Sequence, residues 1–556
     1  MRFRCLILLV MLVASSLSAG CASSPVTALR FHNRAPVWSV QDRKPIPKPE
    51  ERTTYGLAAF YEHTVRLPVW HALELPEPVK AKNINSLGEV PDSTWFQNRI
   101  GRSPLTPREV GHGNVERPPK PPFVVVQAKI SGGAPGFLIE DAREERYLLK
   151  FDFPGLPEVE TGPEAAIARL MWAAGYNVPQ NTVVHVRGDQ FVLASDAIRQ
   201  SSTGREEPMT DKDLERTLAG VERTLDGEAY RAVVSKFLDG VPIDGYPMEG
   251  VREGDPNDRV PHEHRRDVRG LWGFYAWVGN TDVKENNTLD VWMEHPEGSG
   301  RGYLVHHILD FSKGFSAKPA PYDGWARDFD WHYSMASAAS LGLWRRPWER
   351  IERVEMRGVA GFEAEHFQPD HFRTARAYRP FLYRDRFDAY WATKILVQFT
   401  RAHVEAAVAQ GRYGDPRAAS HLLDTLMERR RKMASHWFAE VNPVDRVRVR
   451  PAGEGFELCA EDLLLTHGVE DAADRTTYAL QGFDYDGRPM GYEHHLRGRE
   501  DGRLCVASPA LPEDHEGYVM VAVATRRGDR ALPINVVHLA RHPRSGRPRI
   551  IGLQRR

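Results

Sequence analysis

The sequence predicts a mixed α+β fold: a small sheet carrying one helix, then a helical body, then a separate β-rich tail. Three observations predict it. Between residues 123 and 194, short apolar and β-branched runs alternate with turns around a single helical stretch. From about residue 205 to residue 441, apolar side chains recur at helical spacing. From residue 447 the pattern returns to short strand-like runs separated by turn residues.

The elements follow in order. Phe123–Ile130, Phe137–Glu140 and Tyr147–Phe151 read as strands, with a Gly-rich turn over Ser131–Gly136. Thr161-Gly-Pro-Glu164 opens a helix: Pro163 suits its first turn, Ala165, Ile167, Ala168, Leu170 and Met171 continue it, and Gly175 stops it. Val183–Val186 and Phe191–Ala194 are two further strands, so residues 118–200 form one unit. Helices are expected over 214–221, 230–237, 265–278, 348–354, 387–409 and 418–441, which makes 201–443 a helical body. Strands at 455–458, 477–483, 504–507, 517–524 and 533–539 make 444–556 a C-terminal β domain. Trp391, Ile395, Phe399 and His403 read as one buried helix face. Arg429–Lys432 reads as a solvated face, with contact to anionic headgroups as the alternative.

The N-terminus has its own signature. Arg2 and Arg4 precede an apolar run over Leu6–Val13, too short to span a bilayer, and Leu17-Ser-Ala-Gly-Cys21 follows. This resembles a lipobox, which implies a signal peptide over 1–20 and acylation of Cys21; an ordinary cleaved signal with a chance cysteine is the alternative. Residues 21–117 are then lipidated cysteine, Pro- and Ser-rich tether, and an N-terminal extension with a short helix at Tyr55–His63. Ala22, where sorting rules read Asp as retention at the inner membrane, implies the outer membrane, facing periplasm or surface, with the lipid bilayer as a partner. With 74 basic and 75 acidic residues, no charge surplus points to nucleic acid. Of four cysteines, Cys5 leaves with the signal peptide and Cys21 is acylated, so Cys459 and Cys505 remain, and an oxidising compartment allows them to pair; two free thiols are the alternative.

Four polar features occur in one order. They are the Gly-rich turn with Gly132, Gly133 and Gly136; Lys150 on the third strand; Glu164 at the helix start; and Asn280-Thr-Asp282-Val-Lys284-Glu-Asn-Asn287, followed by a strand and Asp310-Phe311-Ser312. Phosphoryl transfer calls for these residue types, because it depends on positioning and charge neutralisation. A lysine offsets phosphates and a carboxylate holds that lysine. An aspartate accepts the proton of an attacking hydroxyl, and an aspartate and an asparagine offer hard oxygens to Mg²⁺. Lys150, Glu164, Asp282, Asp310 and Asn287 are the candidates in those roles, with Lys284 steadying the transferred phosphate.

The segment Gly279-Asn-Thr-Asp-x-x-x-x-Asn287 resembles the catalytic loop of HipA-type serine/threonine kinases, and Asp310-Phe-Ser resembles the Asp-Phe-Gly turn of protein kinases. Lys284 stands where the HipA-type loop has His, Asn280-Thr281 replaces His-Arg, and Ser312 replaces Gly. The resemblance covers about residues 120–440. It implies a two-lobed protein-kinase-like fold, with a β-rich N-lobe over 118–200 and a helical C-lobe over 201–443. It also implies Mg²⁺ and ATP, or another donor nucleotide, as cofactors, and transfer of phosphate to a hydroxyl acceptor, an envelope protein or polymer being a candidate. The alternative is a catalytically inactive, kinase-shaped envelope lipoprotein acting as a binding or structural scaffold. His262-x-His264 and His306-His307 are weaker candidates for metal ligands, with a solvated helix start and a buttressing core role as the plainer readings.

Overall fold

The computed structural model describes residues 29–52, 61, 65–73, 79–129, 134–153, 155–201, 205–224, 227–315, 331–345, 350 and 356–556. The export signal, Cys21, Gly132, Gly133, the Tyr55–His63 helix except Tyr61, and the helix expected at 348–354 except Arg350 lie outside these residues. The chain divides into two compact units: residues 37–85 with 89–440, and a second containing residues 1–36, 86–88 and 441–556. Both α and β elements are present, as the sequence predicts. Among the described residues no helix is long and apolar enough to cross a membrane.

The larger unit opens its core with a seven-stranded sheet. In chain order its strands are β1 (Phe123–Ala128), β2 (Gly136–Glu140), β3 (Arg146–Phe151), β4 (Asn181–Val186), β5 (Phe191–Gln200), β6 (Glu206–Pro208) and β7 (Tyr230–Lys236). Their spatial order is β4-β7-β3-β2-β1-β5-β6, antiparallel except for the β1/β5 pair. The helix expected over Tyr230–Phe237 is instead β7, hydrogen-bonded between β4 and β3. Tyr230, Val233, Val234 and Phe237 recur at helix-like spacing, yet Arg231-Ala-Val-Val-Ser is an almost continuous small and β-branched run. Such a run suits a strand buried on both faces.

Helix α1 (Thr161–Ala174) packs against β4 and β7 with nearly every residue buried, its alanines permitting close approach. Helix α2 (Arg266–Val278) is buried along its whole length and ends at Gly279, whose φ of 68° turns the chain sharply into Asn280. A hairpin follows, β8 (Thr288–Glu294) with β9 (Arg301–Ile308). Asp290 on β8 is buried between Arg252 (2.7 Å) and His306 Nδ1 (2.6 Å), and the His306 ring stacks on Trp95 at 3.6 Å between centroids. His306 therefore buttresses the hairpin. His262 is held by Asp258, its Nε2 at 2.7 Å. None of His262, His264, His306 and His307 joins a metal-ligand cluster among the described residues.

Helices at Arg386–Leu396 and Arg401–Val408 replace the single helix expected over 387–409, because Thr400 caps a new start after residues 397–399. Trp391, Ile395, Phe399 and His403 are buried, as their spacing predicts. The long helix Pro416–Glu440 completes the body. Arg429 on it is a correction to the solvated-face reading. It is buried over the Phe362 ring, 4.1 Å from the centroid, and donates to Ala276 O at 3.2 Å, satisfying a carbonyl at the end of α2.

The smaller unit is β-rich. Strands 444–452, 455–462 and 503–507 form one sheet, and 476–483, 489–497, 519–527, 530–531, 535–541 and 548–555 form another. Val519, Val521, Val537 and Leu539 fill its core. Cys459 and Cys505 face each other across paired strands and are disulfide-bonded.

Candidate functional site

Lys150 is the penultimate residue of β3. It pairs with Gly136 on one side and Val233 on the other. Gly136 admits no side chain, since a Cβ there would lie 2.1 Å from Leu149 O on β3. The Lys150 ammonium lies 3.6 Å from Glu164 Oε1 and 3.9 Å from Asp310 Oδ1. Glu164, on the first turn of α1, is wholly buried. Its Oε1 also accepts from Asn181 Nδ2 at 3.1 Å, and its Oε2 accepts from the Phe311 amide at 2.8 Å. Ser235 Oγ on β7 donates to Asn181 Oδ1 at 2.6 Å and fixes that amide in turn.

The electrostatics follow from this packing. Burial pushes the Glu164 carboxyl up to about 7 against the pull of Lys150, and Asp310 adds to the rise. Burial works to discharge Lys150, but Glu164, Asp310 and Glu160 outweigh it and hold the ammonium above its usual range. Burial would also raise Asp310; Lys150, the Ser312 hydroxyl and Lys284 together keep it below the usual carboxylate range. Asp310 takes a left-handed backbone, φ 56°, which is costly for a residue with a side chain and concentrates at functional sites. Ser312 Oγ donates to its Oδ1 at 2.6 Å.

The Asn280–Asn287 loop lies at the same open end of the β8/β9 hairpin as the Asp310 turn. Because Thr288 pairs with Ile308, Asn287 O accepts from Leu309 N at 2.8 Å, and the loop's last residue lies beside the residue before Asp310. Asn280 Oδ1 accepts from the Asp282 amide at 3.2 Å. Lys284 Nζ is 2.8 Å from Asp282 Oδ2, and Asn287 Nδ2 donates to Asp282 O at 2.8 Å. The Tyr275 phenol on α2 is held far above its usual range by burial first, and also by Tyr378, Asp310, Asp282 and Glu164. One buried ring thus feels three of the predicted carboxylates.

Lys150, Glu164, Asp282, Lys284, Asn287, Asp310 and Gly136 therefore belong to one neighbourhood, while Gly132, Gly133 and Cys21 fall outside the described residues. Sequence reasoning missed several members. Glu160, at the N-cap of α1, is paired with Lys313, three residues past Asp310. Arg52 pairs with Glu285 inside the loop and with Asp244. Asn181 and Lys129 also went unread; Lys129 could have been marked by its place just before the Gly-rich turn, whereas Asn181 has no signal local in sequence.

No family model matches the chain. No curated protein matches it. Among solved structures, that of the Golgi casein kinase with Mn/ADP bound is similar at a TM-score of 0.28 and 10% identity, over 57% of this chain and 72% of that chain. A second structure of the Golgi casein kinase gives 0.23 and 11%, over 58% and 76%. Superpositions this loose fix neither a fold family nor residue correspondences. The described residues define a mixed α+β protein whose larger unit holds a buried lysine–carboxylate centre beside an asparagine–aspartate loop.

Proposed function

We propose that the larger unit is an atypical kinase-like phosphotransferase, which takes a nucleotide with Mg²⁺ and transfers its terminal phosphate to a hydroxyl group. The observation that carries this reading is the contact of Lys150 with both Glu164 and Asp310, residues from three separate elements. The chemistry of the donor set fits a magnesium ion: the Asp310 side chain is 37% exposed, and the Asn287 nitrogen is committed to Asp282, so the amide oxygen is the atom it can offer. Bound there, the ion would neutralise phosphate charge.

The chain's own residues do the rest. Lys150, held by Glu164, meets the phosphates. Asp282 accepts the hydroxyl proton as the acceptor oxygen attacks phosphorus; the bond from phosphorus to the leaving nucleoside diphosphate breaks, and its electron pair leaves with that group. Lys284, now paired with Asp282, is within reach to follow the phosphate. The sequence features at Cys21 support a lipid-anchored protein of the outer membrane, acting on an envelope protein or polymer.

The test is incorporation of labelled phosphate from ATP or GTP with Mg²⁺, by wild type and Asp282→Asn. Incorporation that falls in the variant while nucleotide binding persists supports the reading. Incorporation equal in both overturns it, and incorporation by neither leaves the scaffold alternative.

A further inference from the structure

Two lysines form a cross-strand row on the N-terminal sheet. The Lys129 amide donates to Gly136 O at 2.9 Å, extending the pairing of Ala128 with Phe137, and Gly136 pairs in turn with Lys150. Residues directly opposite one another on antiparallel strands point to the same face. Lys129 and Lys150 therefore project together, with a residue lacking a side chain between them. Their α-carbons are two strand spacings apart, about 10 Å, a gap that two four-carbon stems can close.

Both ammonium groups feel the charges of Asp310 and Glu160. Lys129 is half-buried and reaches Ala134 O at 2.9 Å. Burial and the neighbouring Lys150 charge lower its proton affinity, while Asp310 and Glu160 support it. Two cations on one face of a sheet, facing shared carboxylate charges, repel unless anions lie between them. Glu164 is wholly buried, Glu160 is engaged by Lys313, and Asp310 is the carboxylate with an open side. Two linked phosphates present oxygens over a longer span than one and can engage both ammonium groups together.

We infer that Lys129 is a second phosphate-binding residue, which with Lys150 across Gly136 selects a ligand carrying at least two linked phosphates. The inference rests on the nucleotide reading above and deepens it. It makes the paired β1, β2 and β3 strand ends a side-chain clamp.

The experiment is calorimetric titration of the full chain with AMP, ADP and ATP in the presence of Mg²⁺, on wild type, Lys129→Met and Lys129→Arg. Methionine keeps the stem's packing, and the unfolding midpoint without nucleotide reports whether the fold persists. Wild type is expected to prefer ADP and ATP over AMP; Lys129→Met loses about tenfold toward ADP and ATP and under about twofold toward AMP, and Lys129→Arg recovers most of the loss. Unchanged ATP affinity in Lys129→Met overturns the inference and leaves the nucleotide reading intact. Should that variant fail to fold, the wild type decides: equal affinity for AMP and ATP overturns the inference. A wild type that binds none of the three overturns the nucleotide reading itself, and the inference with it.

Discussion

The Phe311 amide donates to Glu164 Oε2 at 2.8 Å, joining residues 147 apart in the chain. This bond, with Lys150 on the other carboxylate oxygen, locks the Asp310 turn to α1 and β3. Loss of the carboxylate would leave a buried ammonium with one partner fewer and a buried N–H with none. Glu164→Ala is expected to lower stability by about 3–5 kcal/mol, and Glu164→Gln, which keeps one acceptor, by about 1–2 kcal/mol, measured by urea denaturation.

The same carboxyl gives stability a pH dependence. Its folded value of about 7 lies above the ordinary 4.5, so between those values the folded chain binds more protons than the unfolded one. Its contribution to stability is greatest below pH 4.5 and falls as pH rises through 7, by up to about 3 kcal/mol. Lys150, raised, and Asp310, lowered, change their contributions above and below this window. Denaturation at pH 5 and pH 8 should show the decline in wild type and a flatter profile in Glu164→Gln.

Gly136→Ala places a methyl group against Leu149 O, at 2.1 Å before any shift. The strand that carries Lys150 must move. The expected cost is about 2–3 kcal/mol, read as a lowered unfolding midpoint, with a weakened response to nucleotide.

Asp282→Asn keeps the size of the side chain and removes the base. Under the proposed chemistry it lowers turnover by about 10²–10⁴-fold with little change in nucleotide affinity. Comparing labelled-phosphate rates with calorimetric affinity separates the two effects.

Reduction of the Cys459–Cys505 bond, which closes a loop between residues 46 apart, is expected to destabilise the smaller unit by about 2–4 kcal/mol. Denaturation with and without a thiol reductant measures it.

Much of the site was legible because its chemistry is local in sequence. Lys150 sits in an alternating strand, Glu164 follows a proline at a helix start, and Asp282 to Asn287 lie in one short loop. What was not legible depends on partners far away. β7 was read as a helix because its tyrosine, valines and phenylalanine fall at helical spacing; only its place between β3 and β4 makes it a strand. Arg429 resembled a surface charge, yet it is buried against the carbonyl end of α2, 153 residues distant. Strand β8 went unread although it places Asn287 beside Leu309, and Lys129 gains meaning only once Gly136 aligns it with Lys150.

The central claim is that Lys150, Glu164 and Asp310 converge to receive a magnesium–nucleotide complex. A thermal-shift titration of wild type and Asp310→Ala with ATP or GTP, each with and without Mg²⁺, tests it most directly, because a ligand bound only by the folded form raises the unfolding midpoint. The account predicts a rise in wild type that needs both nucleotide and Mg²⁺ and disappears in Asp310→Ala. A wild type indifferent to every nucleotide, or an equal rise in Asp310→Ala, would contradict it.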